Sequence, residues 1–155
     1  MRNILLKIEY DGTNYSGWQY QKNAKSIQET IEAALKRITG RKARLISCGR
    51  TDSGVHALGH VANFKTDSGI PSFKLQRALN SVLPKDIVIK AVKEAPLKFH
   101  SRFDAKSKIY RYTIVSGQSP SAMFRNFTVY LPYKLNIALM KKEAKASLPT
   151  KARSN

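Results

Sequence analysis

The sequence predicts an α+β fold, a ferredoxin-like β-α-β-β-α-β unit in which an antiparallel sheet is backed by two helices on one face. Two segments carry apolar residues at helical spacing, and four shorter segments alternate or are rich in β-branched residues. Gly, Pro, Asn and Asp cluster between these segments, where turns are needed. The chain of 155 residues is long enough for such a unit and for the start of a second one.

The first strand and the first helix have the clearest signals. Alternating apolar residues over 4–10 predict a strand, and the turn residues 11–14 end it. A helix is predicted to begin after Ser26, which forms a capping-box pattern with Glu29, and to end at Gly40. Its apolar residues recur three and four apart: Ile27, Ile31, Ala34, Leu35 and Ile38.

The rest of the first unit continues the alternation of elements. Strands are predicted at 43–48 and 60–65, followed by a second helix that opens at Pro71 and closes at Pro84. A further strand from Ile87 to about Val92 completes the β-α-β-β-α-β order. Trp18 is interpreted as a core residue, with a stacking surface beside a substrate as the alternative.

Three regions are predicted along the chain: the ferredoxin-like unit at 1–105, the start of a second unit at 106–146, and a divergent tail at 147–155. Within the second region we expect a strand at 107–116, a short strand near 127–131 and a helix after Asn136. Since no low-complexity linker separates the two units, we expect one continuous sheet.

The charge balance indicates the kind of partner. Lys and Arg number 28 against 10 Asp and Glu, which gives a net charge of +18. Such a charge attracts polyanions, and nucleic acid is the first candidate. There is no apolar run of membrane-spanning length and no signal-peptide pattern, and the single cysteine excludes an internal disulfide. We therefore expect a cytoplasmic protein without a membrane partner.

A charged loop with the sequence CGRTDSGVHALGH, residues 48–60, lies between two predicted strands. Gly49 and Gly54 bracket Arg50 and Asp52, so a substrate can approach the backbone closely. Arg50 is near enough in sequence to pair with Asp52 and keep it ionised. The alternative is an ordinary polar connection in which Asp52 caps a backbone donor.

The chemistry open to this loop is limited. No second acidic residue stands in a comparable motif, so the carboxylate pair of glycosidases is missing. His56 and His60 have helical ligand spacing, but neighbouring glycines argue against a helix and nothing completes a zinc site. What remains is one carboxylate acting as nucleophile or base on a partner rich in phosphates.

Three motifs resemble the tRNA pseudouridine synthase A family. GRTDSGVHA at 49–57 is similar to that family's GRTD[AS]GVHA signature, and YDGTNYSGWQ at 10–19 is similar to its N-terminal motif. FHSRFDA at 99–105 with KIYRY at 108–112 resembles a third. The motifs follow in family order, and the resemblance covers residues 1 to about 146.

The resemblance implies isomerisation of uridine to pseudouridine in the anticodon stem-loop of tRNA, without metal or cofactor. It implies that Asp52 is the catalytic aspartate, whose carboxylate attacks the ribose or the uracil. Arg50 would pair with Asp52 and hold the extruded nucleotide, unless it only braces the loop. Tyr110 would lie against the flipped uracil, where it could take part in proton transfer; on sequence alone, core packing of Tyr110 and Tyr112 is the alternative. Family members also form homodimers.

Basic residues provide candidate RNA contacts in two tracks, although the first could be a solvated helix end. The predicted RNA-binding residues are Arg37, Arg41, Lys42 and Arg44 in the first track, and Arg102 and Lys108 in the second.

After about residue 146 the sequence departs from the family pattern, which is expected to continue into the rest of a second unit. We therefore expect an incomplete pseudouridine synthase fold, truncated or frameshifted, with lower stability and reduced activity. Two other functions remain open: a homologue that binds RNA without catalysis, and an inactive fragment.

Overall fold

A computed structural model describes residues 1–147. The chain forms two compact units, Met1–Ile109 and a second that begins at Tyr110. The first unit contains β1 (Arg2–Tyr10), α1 (Ile27–Thr39), β2 (Ile46–Ser47), β3 (Ala57–Thr66), α2 (Ser72–Val82) and β4 (Ile87–Ala95). This is the predicted β-α-β-β-α-β order, so the predicted fold class is confirmed. No helix within residues 1–147 is long and apolar enough to cross a membrane.

The sheet of the first unit is antiparallel, with strand order β2-β3-β1-β4. In the register of β1 with β3, Ile4 faces Phe64 and Leu6 faces Ala62, and all four side chains are buried. Because side chains alternate along a strand, these residues share the face that packs against the helices. Full burial of a side chain such as Phe64 contributes about 1.5–3 kcal/mol to the stability of the folded chain.

Helix α1 has the predicted ends. Ser26 Oγ accepts a hydrogen bond from the Glu29 backbone N–H at 3.2 Å, which satisfies one of the free donors of the first turn. At the other end Gly40 takes a left-handed conformation with φ of 71°, and its N–H donates to the Lys36 carbonyl. Trp18, predicted to be a core residue, is buried.

Strand β2 is shorter than the predicted 43–48, because side chains of helix α1 form hydrogen bonds with the backbone of Leu45. The Leu45 N–H donates to Glu32 Oε1 at 2.8 Å, and Gln28 Nε2 donates to the Leu45 carbonyl at 3.4 Å. These bonds replace the ladder that would otherwise extend the strand, so β2 begins at Ile46. Leu45, just before β2, is thus held by the side chains of Gln28 and Glu32 and not by a neighbouring strand.

Buried amides hold the segment after β4 on the other face of the sheet. Asn63 Nδ2 donates to Asn3 Oδ1, and Asn3 Nδ2 donates to the carbonyls of Pro96 and Phe99, all at 2.9 Å. The Ser101 N–H in turn donates to Asn63 Oδ1 at 2.9 Å. The FHSRFDA motif is thereby fixed by main-chain bonds to two strand side chains.

The second unit contains β5 (Ile114–Ser116), β6 (Val129–Leu131) and α3 (Ile137–Ser147). The helix predicted after Asn136 is confirmed, and Asn136 Oδ1 accepts from the Leu139 N–H at 2.9 Å. The strand predicted at 107–116 forms only in its last three residues. The other seven lie outside the strands, and of these residues only Thr113 is bonded to β6, through its carbonyl, which accepts from the Val129 N–H at 2.9 Å. An alternating pattern forms a strand only where a neighbour completes its hydrogen bonds.

The expectation of one continuous sheet is wrong. Strands β5 and β6 form their own two-stranded parallel sheet, in which Ile114 pairs with Val129 and Ser116 with Leu131. The predicted tail at 147–155 lies outside the described residues, apart from Ser147 at the end of α3.

Candidate active site

Two loops of the first unit meet at the amino-terminal side of β3. We call residues 11–19 the β1 loop, because they follow β1, and residues 49–56 the Asp loop, because they contain Asp52. The Trp18 N–H donates to the Thr51 carbonyl at 3.0 Å, and the Gly54 N–H donates to the Tyr15 carbonyl at 3.2 Å. The loops are thus joined by main-chain hydrogen bonds.

Two glycines of the β1 loop allow this close approach. A Cβ atom on Gly12 would lie 2.0 Å from the Val55 carbonyl oxygen, and one on Gly17 would lie 2.3 Å from the Thr51 carbonyl oxygen. Gly17 also has a φ of +85°, which favours glycine over other residues. Only hydrogen atoms fit at these two positions while the loops keep their contact.

A polar cavity of about 390 Å³ opens where the loops meet. Its volume lies within the range of roughly 300–1,000 Å³ that is typical of small-ligand sites. It is lined by Ser16, Gln19, Gln21, Arg50, Thr51, Asp52 and Ser53. The structure thus brings the predicted residues Arg50 and Asp52 together with Ser16 and Gln19 of the YDGTNYSGWQ motif. Gln21, just after this motif, completes that side of the cavity. Gln19 and Gln21 were not singled out from sequence, since nothing in their pattern shows that the two loops meet.

Arg50 and Asp52 both line the cavity and are exposed, but no ion pair between them occurs in residues 1–147. The expectation that they pair is therefore wrong for this structure. Nor is Asp52 a capping residue: its backbone carbonyl accepts from the Val55 N–H at 3.2 Å, whereas its carboxylate forms no hydrogen bond within the described chain. The carboxylate is open to a ligand.

Three aromatic rings lie close together beneath the Asp loop. The rings of Trp18 and His60 stack with centroids 4.0 Å apart, and Tyr10 lies 6.1 Å from Trp18 and 5.8 Å from His60. Burial, assisted by the positive charge of Lys108, lowers the pKa of His60 to about 4. His60 is therefore neutral at physiological pH, and its Nε2 atom is buried without a hydrogen-bond partner among residues 1–147.

A hydrogen-bonded cluster fixes the start of the β1 loop. Asp11 Oδ1 accepts from the Thr13 N–H at 3.0 Å and from the Thr13 hydroxyl at 2.6 Å, and lies 3.0 Å from His56 Nδ1. Burial alone would raise the pKa of Asp11, but the Thr13 bonds and His56 outweigh it and lower that pKa. His56 Nδ1 is also 3.1 Å from the Gly12 nitrogen, so this atom bonds to Asp11 when protonated and to Gly12 when not.

The predicted RNA-binding residues differ in their surroundings. Lys108 lies against the Asp loop, since its Nζ atom is 2.8 Å from the place that a Cβ on Gly49 would take. Arg102 lies over the Phe103 ring at 6.0 Å. In the other track Arg41 pairs with Asp67 at 3.4 Å. Arg37 lies at a groove of about 200 Å³ between the two helices, and Lys42 and Arg44 are exposed on the chain before β2.

Tyr110, predicted to contact the substrate, begins the second unit and is 74% exposed. Tyr112 is exposed as well, so the alternative that these two side chains pack in a core is wrong. Within residues 1–147 no cluster of three or more His, Cys, Asp or Glu side chains could hold a metal ion.

Comparison with known proteins matches this chain to one family. A family model described as tRNA pseudouridine synthase matches residues 7–104, which include both loops. Proteins named tRNA pseudouridine synthase A are similar to it: that of Acetivibrio thermocellus is 55% identical over 150 residues, covering 97% of this chain and 62% of the relative. The protein of Caldicellulosiruptor bescii is 56% identical over 142 residues, with 92% and 58% covered.

A third relative, from Clostridium acetobutylicum, is 49% identical over 150 residues, with 97% of this chain and 62% of the relative covered. The chain thus spans about 60% of the length of these relatives. The family model covers more than half of the chain, including the two hydrogen-bonded loops and the cavity where they meet. The chain belongs to the tRNA pseudouridine synthase family.

Proposed function

We propose that this protein isomerises uridine to pseudouridine in the anticodon stem-loop of tRNA, with Asp52 as the catalytic carboxylate. The observation that carries the proposal is the position of Asp52. It is exposed in a polar cavity, its loop is held by main-chain hydrogen bonds, and its carboxylate bonds to no described residue. The names of the relatives support the reaction and the RNA substrate.

The reaction is an isomerisation that balances without a second substrate. The bond between ribose C1′ and uracil N1 breaks, the base turns, and a bond forms between C1′ and C5. The proton on C5 is lost and N1 carries a proton in the product. Asp52 attacks either the ribose or the uracil, and in both courses it returns to its starting state.

The substrate nucleotide has to leave its stack to reach Asp52. We propose that Arg50, at the cavity, holds the extruded nucleotide, and that Lys108, beside Gly49, contacts a phosphate near it. Tyr110 is proposed to lie against the uracil; its exposed ring is available for stacking. In this arrangement the charged groups bind the backbone and the carboxylate acts on the base.

The wider tRNA surface is proposed to bind through charge. The net charge of +18 favours phosphate contacts, to which Arg37, Arg41, Lys42, Arg44 and Arg102 would contribute. We also propose a homodimer and a cytoplasmic location, because the chain belongs to the tRNA pseudouridine synthase family. Binding through this surface should weaken steeply as salt is raised.

Release of tritium from tRNA labelled at uracil C5 tests the proposal, because that label must leave when C5 bonds to ribose. We expect release by the wild type and a loss of at least ~100-fold in Asp52→Asn, since the variant keeps the shape of the side chain and removes its reactive charge. Asp67→Asn is the matched control: it also removes one negative charge, but from an exposed residue paired with Arg41.

Equal release by wild type and Asp52→Asn would contradict the proposal. Absence of release from a chain that still binds tRNA would instead identify a homologue that binds RNA without catalysis.

A further inference from the structure

The hydroxyl of Tyr10 lies beneath the residue that precedes Asp52. Tyr10 ends strand β1 and is 3% exposed, and its hydroxyl oxygen is 2.9 Å from Thr51 Oγ1. Burial raises the pKa of Tyr10 to about 12, although the bond to Thr51 partly opposes the shift. The phenol therefore keeps its proton at every physiological pH.

Burial decides which of the two hydroxyls donates. In the part of the chain that the structure describes, the Tyr10 hydroxyl has no hydrogen-bond partner other than Thr51. If Thr51 donated, the phenol proton would be buried without an acceptor, which is costly. Burial therefore favours Tyr10 as the donor, an arrangement that leaves the proton of the Thr51 hydroxyl for another acceptor.

The carbonyl and the hydroxyl of Thr51 are both held by neighbouring residues. Its carbonyl is held by the Trp18 N–H at 3.0 Å and its hydroxyl by Tyr10, so both ends of the residue are fixed. Thr51 is half-buried and lines the cavity beside Asp52. With Tyr10 as the donor, the Thr51 hydroxyl keeps its own proton for a ligand, and its oxygen keeps one further lone pair.

We propose that Thr51 is a substrate-binding residue whose hydroxyl donates to the C4 carbonyl oxygen of uracil, and that Tyr10 is the positioning residue that holds this hydroxyl. The inference rests on the proposed function for its ligand, a uridine beside Asp52. A neutral donor next to the residue that acts on the base suits a neutral carbonyl, whereas Arg50 and Lys108 suit phosphate. Uracil and cytosine share the carbonyl at C2, but at C4 uracil has a carbonyl and cytosine has an amino group, which cannot accept. The arrangement therefore favours uracil.

Binding of short RNA tests the inference separately from turnover. Fluorescently labelled hexauridylate and hexacytidylate are titrated at one fixed salt concentration, so that phosphate contacts contribute equally to both. We expect the wild type to prefer uracil by roughly 5–10-fold, which lies within the range for one hydrogen bond to a neutral group. Thr51→Val should reduce that preference to less than 2-fold and Thr51→Ser should keep it. Thr66→Val is the matched control, because Thr66 bonds to the Ser68 N–H at the other end of β3.

A double-mutant cycle tests the role of Tyr10. Tyr10→Phe keeps the ring against Trp18 and should lower the preference for uracil, but should lower it no further when Thr51 is already Val. An equal loss in both backgrounds would show that Tyr10 acts on the fold generally and would overturn its assignment. No preference in the wild type, or an unchanged preference in Thr51→Val, would overturn the proposal.

The two proposals can fail separately. A preference for uracil that depends on Thr51, in a chain that releases no tritium from tRNA, would support this inference and contradict the proposed catalysis. If Tyr10→Phe does not fold, the comparison of Val with Ser at Thr51 still decides whether the hydroxyl is used.

Discussion

Helices α1 and α3 are of similar length, yet only α1 is part of a core. Five of the 13 residues of α1 are buried, whereas none of the 11 residues of α3 is. The same contrast separates the two units. Every buried apolar side chain of the described chain lies between Ile4 and Val92, and the large apolar residues described in the second unit are exposed or half-buried. A sequence pattern becomes a stable element only when another surface covers its apolar side.

The largest effect is expected from shortening a core side chain of the first unit. Leu6→Ala, at a fully buried position of β1, should reduce the free energy of unfolding by about 2–5 kcal/mol, because it leaves a cavity. Leu139→Ala is the matched change in α3, where the side chain is 52% exposed, and should alter that free energy by less than about 0.5 kcal/mol. Urea denaturation followed by far-UV dichroism measures both, and equal losses would refute the contrast between the units.

The next effect is a dependence of stability on pH that comes from His60. Its pKa is about 4 in the folded chain and 6.5 as the ordinary value, so the unfolded chain binds more protons between these values. Stability should therefore be full above about pH 6.5 and fall as pH decreases towards 4, by up to about 3 kcal/mol. His60→Gln should flatten the part of the profile between pH 4 and 6.5, and a slope that persists unchanged in this variant would assign it to other groups.

A smaller loss of stability, with a large loss of activity, is expected from Gly17→Ala. The added Cβ would strike the Thr51 carbonyl, and φ at this residue is left-handed, so the loops have to separate at a cost of about 1–3 kcal/mol. Gly69→Ala is the control, since nothing lies within 4 Å of the added atom there. Thermal melts and tritium release are measured together. A variant at Gly17 that retained full activity would show that the contact of the two loops is dispensable.

Much of the first unit could be predicted because its signals are local. The cap at Ser26, the left-handed Gly40 and the Pro residues around α2 act within a few residues of the chain, and the structure has them as predicted. The short β2 could not be predicted, since it depends on the side chains of α1 that bond to Leu45.

The candidate site also has parts with a local sequence signal and parts without one. Asp52 stands in a motif that is recognisable from sequence, but the cavity around it exists only where the two loops meet, so the wall formed by Gln19 and Gln21 has no local signal. The expected pairing of Arg50 with Asp52 fails for a related reason: closeness in sequence does not orient two exposed side chains towards each other.

The bonds between the β1 loop and the Asp loop have a consequence for how such a site can change. Two of them join main-chain atoms, from Trp18 to Thr51 and from Gly54 to Tyr15, and every residue except proline can supply these N–H groups. The location of Asp52 is therefore largely independent of the side chains that line the cavity. If the proposed function holds, the ligand preference of the cavity can be altered at Gln19 or Gln21 while Asp52 stays in its place.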